Sequence, residues 1–74
     1  MYMFIFSYEN GSEDVYSDIN SAVVSDSNNF KEIPSEEILS HNFSLNGNIH
    51  LKSTNANYTI SCNDIRFIEI KKND

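Results

Sequence analysis

The run Met1-Tyr2-Met3-Phe4-Ile5-Phe6-Ser7-Tyr8 is the longest apolar stretch in the chain, and four of its eight residues are aromatic. Aromatic and β-branched side chains suit a pleated strand, where broad groups pack against their neighbours across the ladder. Side chains alternate between faces along a strand. Tyr2, Phe4, Phe6 and Tyr8 therefore share one face, and Met3, Ile5 and Ser7 share the other. Both faces are largely apolar, which predicts a strand covered on both sides. The run does not read as a secretory signal: it has no basic leader, it is short, and Glu9 follows at once. A membrane-spanning helix needs about 20 apolar residues, and no stretch of the sequence approaches that length.

Glu9-Asn10-Gly11-Ser12 comes next. Asn-Gly between two candidate strands signals a hairpin, because both residues tolerate the positive φ of a type I′ turn. The return strand is expected from Glu13 to about Ile19. In that register Val15, Ser17 and Ile19 face the core, and Asp14, Tyr16 and Asp18 face water. Residues 17–29 leave two readings open. One is a short helix with Ile19, Ala22 and Val23 on one face; the other is a second strand that continues to about Val24. Ser25 to Asn29 has the composition of a polar loop, with Phe30 and Ile33 anchoring its far end to the core.

Pro34-Ser35-Glu36-Glu37-Ile38-Leu39-Ser40 predicts one short helix near residues 35–40. Ser35 can cap it, Glu36 and Glu37 occupy the first turn where the helix dipole favours anions, and Ile38 and Leu39 turn inward. From His41 onward the pattern is β. Phe43 and Leu45, Ile49 and Leu51, then Tyr58, Ile60 and Cys62 alternate with polar residues. Ile65 to Ile70 forms the last strand, with Phe67 on one face and Ile68 and Ile70 on the other. Turns fall at Asn46-Gly47-Asn48, within residues 53–57, and at Asn63-Asp64, and residues 71–74 read as a frayed tail. The expected fold is α+β but mostly β: a single small domain over residues 1–74. Its five or six short strands form an antiparallel sheet, rolled towards a partial barrel or carrying the helix on one face.

Charge narrows the function classes. Residues 1–37 carry a net charge of −7 and residues 38–74 a net of +1, so the overall −6 resides in the first half. Phosphate binding needs Lys or Arg to displace counterions, and five bases against eleven acids argue against a nucleic-acid binder or an anionic membrane surface. An acidic surface instead favours a basic partner. Phe, Tyr, Ile, Asn and Lys make up 33 of the 74 residues. Their codons are A/T-rich, which points to a low-GC bacterium, its phages or its plasmids.

No catalytic or cofactor motif is present. His41, His50 and Cys62 are not at zinc-ligand spacings, although a hairpin pairing the His41 and His50 strands would bring the two histidines near each other, with Asp64 as a third ligand. Cys62 is in phase with Tyr58 and Ile60 and reads as a small buried hydrophobe. Adjacent Glu36 and Glu37 diverge by about 100° on a helix and so do not form an acid–base pair. There is no glycine-rich phosphate loop and no calcium loop. No metal, no cofactor and no enzymatic activity are expected. With one cysteine, no internal disulfide is possible, and the expected location is the cytoplasm.

These features lead to a non-enzymatic, acidic protein-binding module. In concrete form it is a small phage or mobile-element inhibitor of a host protein with a basic surface, of the anti-CRISPR or DNA-mimic type. Tyr8, Glu9, Glu13, Asp14, Tyr16, Asp18, Glu36 and Glu37 are the expected partner-binding residues, with the tyrosines as anchors. The alternative is a structural or self-assembling accessory protein, a homodimer formed through edge strands.

Overall fold

The computed structural model describes residues 1–73. Strands β1 (Tyr2–Tyr8), β2 (Glu13–Asp26) and β3 (Asn29–Ile33) lead to a single 3-10 turn (Ser35–Glu37), and β4 (Asn48–Ser53), β5 (Asn57–Ser61) and β6 (Ile65–Lys72) follow. All pairings are antiparallel. The strands form one sheet in the order β5-β4-β2-β1-β6, with β3 also paired to β2, and the sheet is not closed. Only residues 62–64 separate β5 from β6, yet these strands stand at opposite ends of that order. The sheet must therefore curl until its two edges approach at that end. The Cys62 amide donates to the Gly47 carbonyl (3.1 Å), and the Glu9 amide donates to the Asp64 carbonyl (2.9 Å), which fastens the link to its surroundings.

The curl depends on β2, which is long enough to serve both halves of the sheet. Its first half pairs with β1 (Phe6 with Asp14, Phe4 with Tyr16), and its second half lies between β3 and β4 (Ala22 opposite both Ile33 and Leu51). Two register shifts interrupt it. Against β1, one residue is inserted between Tyr16 and Ile19; against β4, Asn20 is inserted between Ile19 and Ser21. Each is a β-bulge, which bends a strand and increases its twist. Asp18 sits in the first with φ +60°, a left-handed conformation that Asp tolerates better than most residues.

The bulges reverse the expected faces of β2. Period-two counting in phase with Ile19 places Val15 in the core, but it is exposed, because it is opposite Ile5 on the outer face. Tyr16 lies on the inner face beside Phe4 and Phe6. The extra residue then restores Ile19 to the inside, fully buried. The core comprises Tyr2, Phe4 and Phe6 of β1 with Ile19, Ala22, Ile33, Ile38, Ile49, Leu51, Ile60, Cys62 and Ile65. Phe43 sits edge-on to Phe4 at 5.6 Å between centroids.

Other expectations are corrected. The helix near residues 35–40 is only the 3-10 turn at Ser35–Glu37: Pro34 is at its N-cap with no side-chain cap, and the Ser40 and His41 amides both end on the Glu37 carbonyl. One turn has one inward position. Ile38 takes it and is fully buried, while Leu39 is exposed. Residues 25–29 are not a loop: β2 runs to Asp26, and Asn29 already pairs with it across a turn in which Ser27 has φ +47°. Phe30 is opposite Ser25 and is 73% exposed, so it is no core anchor. No strand forms at Phe43–Leu45. Lys71 and Lys72 belong to β6, opposite Met3 and Tyr2, so the expected tail is ordered at least to Asn73, whose amide donates to the Met1 carbonyl. Asp74 lies outside the described residues. Among the described residues, no helix is long and apolar enough to cross a membrane.

Candidate functional site

The β1–β2 turn closes with three loop residues rather than two. The Tyr8 amide donates to the Ser12 carbonyl (2.9 Å), the Gly11 amide donates to the Tyr8 carbonyl (3.0 Å), and Gly11 alone in the turn has positive φ (+91°). That is a type I turn followed by a glycine bulge, not the expected type I′ turn. The Asn10 side-chain oxygen accepts from the Ser12 amide and hydroxyl, which holds the turn in shape.

Beside this turn, Tyr8, Glu9, Asn10, Ser12, Asp14 and Asp64 line an open cleft of about 470 Å³. Asp14 and Tyr8 both lie on the inner face of the hairpin, two positions apart in register, since Asp14 is opposite Phe6. The Tyr8 hydroxyl donates to the Asp14 carboxylate at 2.8 Å. Partial burial, then this hydrogen bond and the Asp14 charge, push the Tyr8 phenol up to about 12. The phenol therefore stays a neutral donor, and Asp14 remains the acceptor. Asp64 joins the cleft because β6 pairs with β1 and its preceding turn bonds to Glu9. Among the described residues no Lys or Arg lines the cleft.

Of the eight residues expected to bind a partner, Tyr8, Glu9 and Asp14 come together here. Tyr16 lies deeper on the inner face, edge-on to Phe6 (5.6 Å) and 4.8 Å from the Tyr58 ring. Burial, then the Asp14 charge, raises its phenol. Glu13 is on the opposite face, where it accepts a long hydrogen bond from Ser7 (3.5 Å). Asp18 is at the bulge and accepts from the Asn73 side chain (3.2 Å). Glu36 and Glu37 follow β3, whose last residue Ile33 is opposite Ala22. From Glu13 to Ala22 is nine residues of β2, on the order of 25–30 Å of strand. Asp64 is the residue that sequence reasoning omitted, because only the pairing of the last strand with the first brings it here.

The ligand-type residues are dispersed. His50 lies in β4 between the Ser25 and Thr59 hydroxyls, each 3.2 Å from a ring nitrogen. His41 stands edge-on to Phe43 (4.7 Å) and lines a separate cleft of about 340 Å³ with Lys31, Asn29 and Asn42. The two histidines are not in paired strands. Cys62 is buried, and burial pushes its thiol up, the opposite of what a thiolate nucleophile needs. Among the described residues no three His, Cys, Asp or Glu side chains stand close enough to hold a metal ion.

Comparison of the chain with family models, with curated proteins and with solved structures gave no match.

Proposed function

We propose that this chain is a non-enzymatic binding protein and that the cleft at its β1–β2 end receives a basic surface of another protein. The observation that carries this reading is the grouping of Glu9, Asp14 and Asp64 around Tyr8 with no base among the lining residues. Carboxylates arranged in this way attract Lys or Arg side chains and speed encounter with a basic partner. The Tyr8 ring offers rigid area at the centre, and its bond to Asp14 fixes the carboxylate. The concrete form is a small inhibitor from a phage or mobile element, acting inside the host cell on the basic groove of a host defence protein. An anti-CRISPR or DNA mimic is of this type. The acidic first half and the A/T-rich residue usage support it, and neither nucleic acid nor membrane is a direct partner. Of the residues expected from the sequence, the proposed surface takes in Tyr8, Glu9 and Asp14 and leaves out Glu13, Asp18, Glu36 and Glu37, with Tyr16 deeper, packed on Phe6 and Tyr58.

The test is retention of proteins from a low-GC bacterial lysate on immobilised chain at moderate salt, followed by release at high salt. Three forms are compared: wild type, Glu9→Lys/Asp14→Asn/Asp64→Lys, and Glu36→Lys/Glu37→Lys. Circular dichroism checks that all three fold. The expected result is one basic protein held by the wild type and by the Glu36/Glu37 variant and lost from the cleft variant. Equal retention by all three forms, or no salt-sensitive partner, overturns the reading.

A further inference from the structure

We propose that two copies of this chain pair through the open edge of β6, antiparallel, with Ile70 of one copy opposite Ile70 of the other. Among the described residues β6 ends the strand order and pairs as a strand only with β1, so its other edge is an open ladder edge, which is a template for a further strand. With eight residues it is longer than the edge strands β5 and β3, which have five each. On its inner face Ile68 and Ile70 pack against the core but are only partly buried. A strand added at this edge would cover them.

Charge decides both the occupant and the register. Two copies that each carry −6 repel at most approaches. β6 is the exception, with Arg66, Lys71 and Lys72 against Glu69. Charged residues on an edge strand usually ward off pairing; here their order is self-complementary. A twofold axis that keeps both cores on the same side of the joined sheet must pass through a residue rather than between two. Centred on Ile70, it sets Glu69 of each copy opposite Lys71 of the other, twice, on the outer face. Centred on Glu69, it opposes two carboxylates and sets Arg66 against Lys72. Centred on Ile68 or Lys71, it leaves no acid opposite a base within the strand. The Ile70 register also keeps the contact in the C-terminal half of β6, away from the Ile65 end where the link from β5 arrives.

Light scattering after size exclusion, run at low salt from micromolar to millimolar chain, tests this. The wild-type mass should rise towards twice the chain mass with concentration. Glu69→Lys and Lys71→Glu, each folded by circular dichroism, should stay at the monomer mass. An equimolar mixture of the two should recover the dimer, because every facing pair then again joins an acid to a base. A wild type that remains monomeric throughout overturns the proposal. A dimer indifferent to both substitutions overturns it in favour of another edge such as β5. Two monomeric variants that do not recover on mixing overturn the register.

Discussion

Gly47 offers the sharpest test of how the curled sheet holds together. It precedes β4 with φ +74°, and a Cβ built there would run into the carbonyl oxygen of Ser25, with the Ser25 carbonyl carbon and Asp26 Cα only 3.0 and 3.1 Å away. These are backbone atoms of β2, so no side chain can swing aside. Gly47 cannot simply withdraw either. Its carbonyl accepts from Cys62, and its neighbour Asn48 pairs with Ser25. Gly11 serves as the control, because it has φ +91° but nothing within 4 Å of a built Cβ. Placing an L side chain in the left-handed region costs roughly 1–2 kcal/mol. Forcing a methyl into a filled site adds about 1–3 kcal/mol. Gly11→Ala should therefore cost about 1 kcal/mol and Gly47→Ala about 3 kcal/mol, against a total stability on the order of 4–10 kcal/mol for this length. In urea, with a slope near 1 kcal/mol/M for so small a domain, the midpoint should fall by about 1 M for Gly11→Ala and about 3 M for Gly47→Ala. Equal shifts, within about 0.5 kcal/mol, would mean that Gly47 is needed only for its φ. The close approach to β2 would then not constrain the fold.

Three further outcomes are expected. Phe4→Ala should cost about 3–5 kcal/mol, a large share of the total stability, since Phe4 is fully buried against Phe6 and Phe43; Phe30→Ser should shift stability by less than about 0.5 kcal/mol. Tyr8 binds its proton more tightly when folded, with its phenol raised from 10.0 to about 12, so stability that is complete below pH 10 should decline as pH rises from 10 towards 12; Tyr8→Phe should flatten part of that decline in denaturation curves at pH 9 and 11, and the remainder belongs in part to Tyr16, which shifts in the same direction. At the first bulge, Asp18→Gly should be tolerated, while Asp18→Val should cost roughly 1–2 kcal/mol because a β-branched residue resists φ +60°.

The β content, the two-sided first strand, the alternation of Ile49, Leu51 and Ile60, and the last strand with Phe67 on the face away from Ile68 and Ile70 were all legible from alternation alone. Where reading failed, the cause was a local break in period two. The Ser17–Asp18 bulge and the insertion at Asn20 each invert the face of everything that follows. A period-two count that links Val15 to Ile19 crosses the first bulge, and so it puts Val15 inside with Ile19 and Tyr16 outside. Neither bulge has a glycine to announce it. The polar residues 25–29 concealed a tight hairpin because Ser27 supplies the positive φ there without one. The helix signal at Pro34–Ser40 was chemically sound, but the chain has to place Ile38 in the core immediately after Ile33 leaves β3, which leaves room for a single turn. Tyr8, Glu9 and Asp14 could be found because they are near in sequence; Asp64 could not, because its approach depends on β1 pairing with β6.

That pairing also changes the meaning of the charge asymmetry. By sequence, the acids form one half of the chain and suggest one acidic face. In the fold, the net-positive β6 is the neighbour of β1, so the bases of the second half lie within the sheet that carries the acids of the first. The acids are then divided among the hairpin cleft, the outer face at Glu13, the bulge at Asp18 and the turn at Glu36 and Glu37. A partner docked at the cleft meets about three carboxylates rather than the six expected from the sequence, so its binding should weaken only moderately with salt. A partner that lost affinity as steeply as a protein neutralising about six charges would have to contact both ends of β2 at once, and the proposed cleft would be too small to account for it.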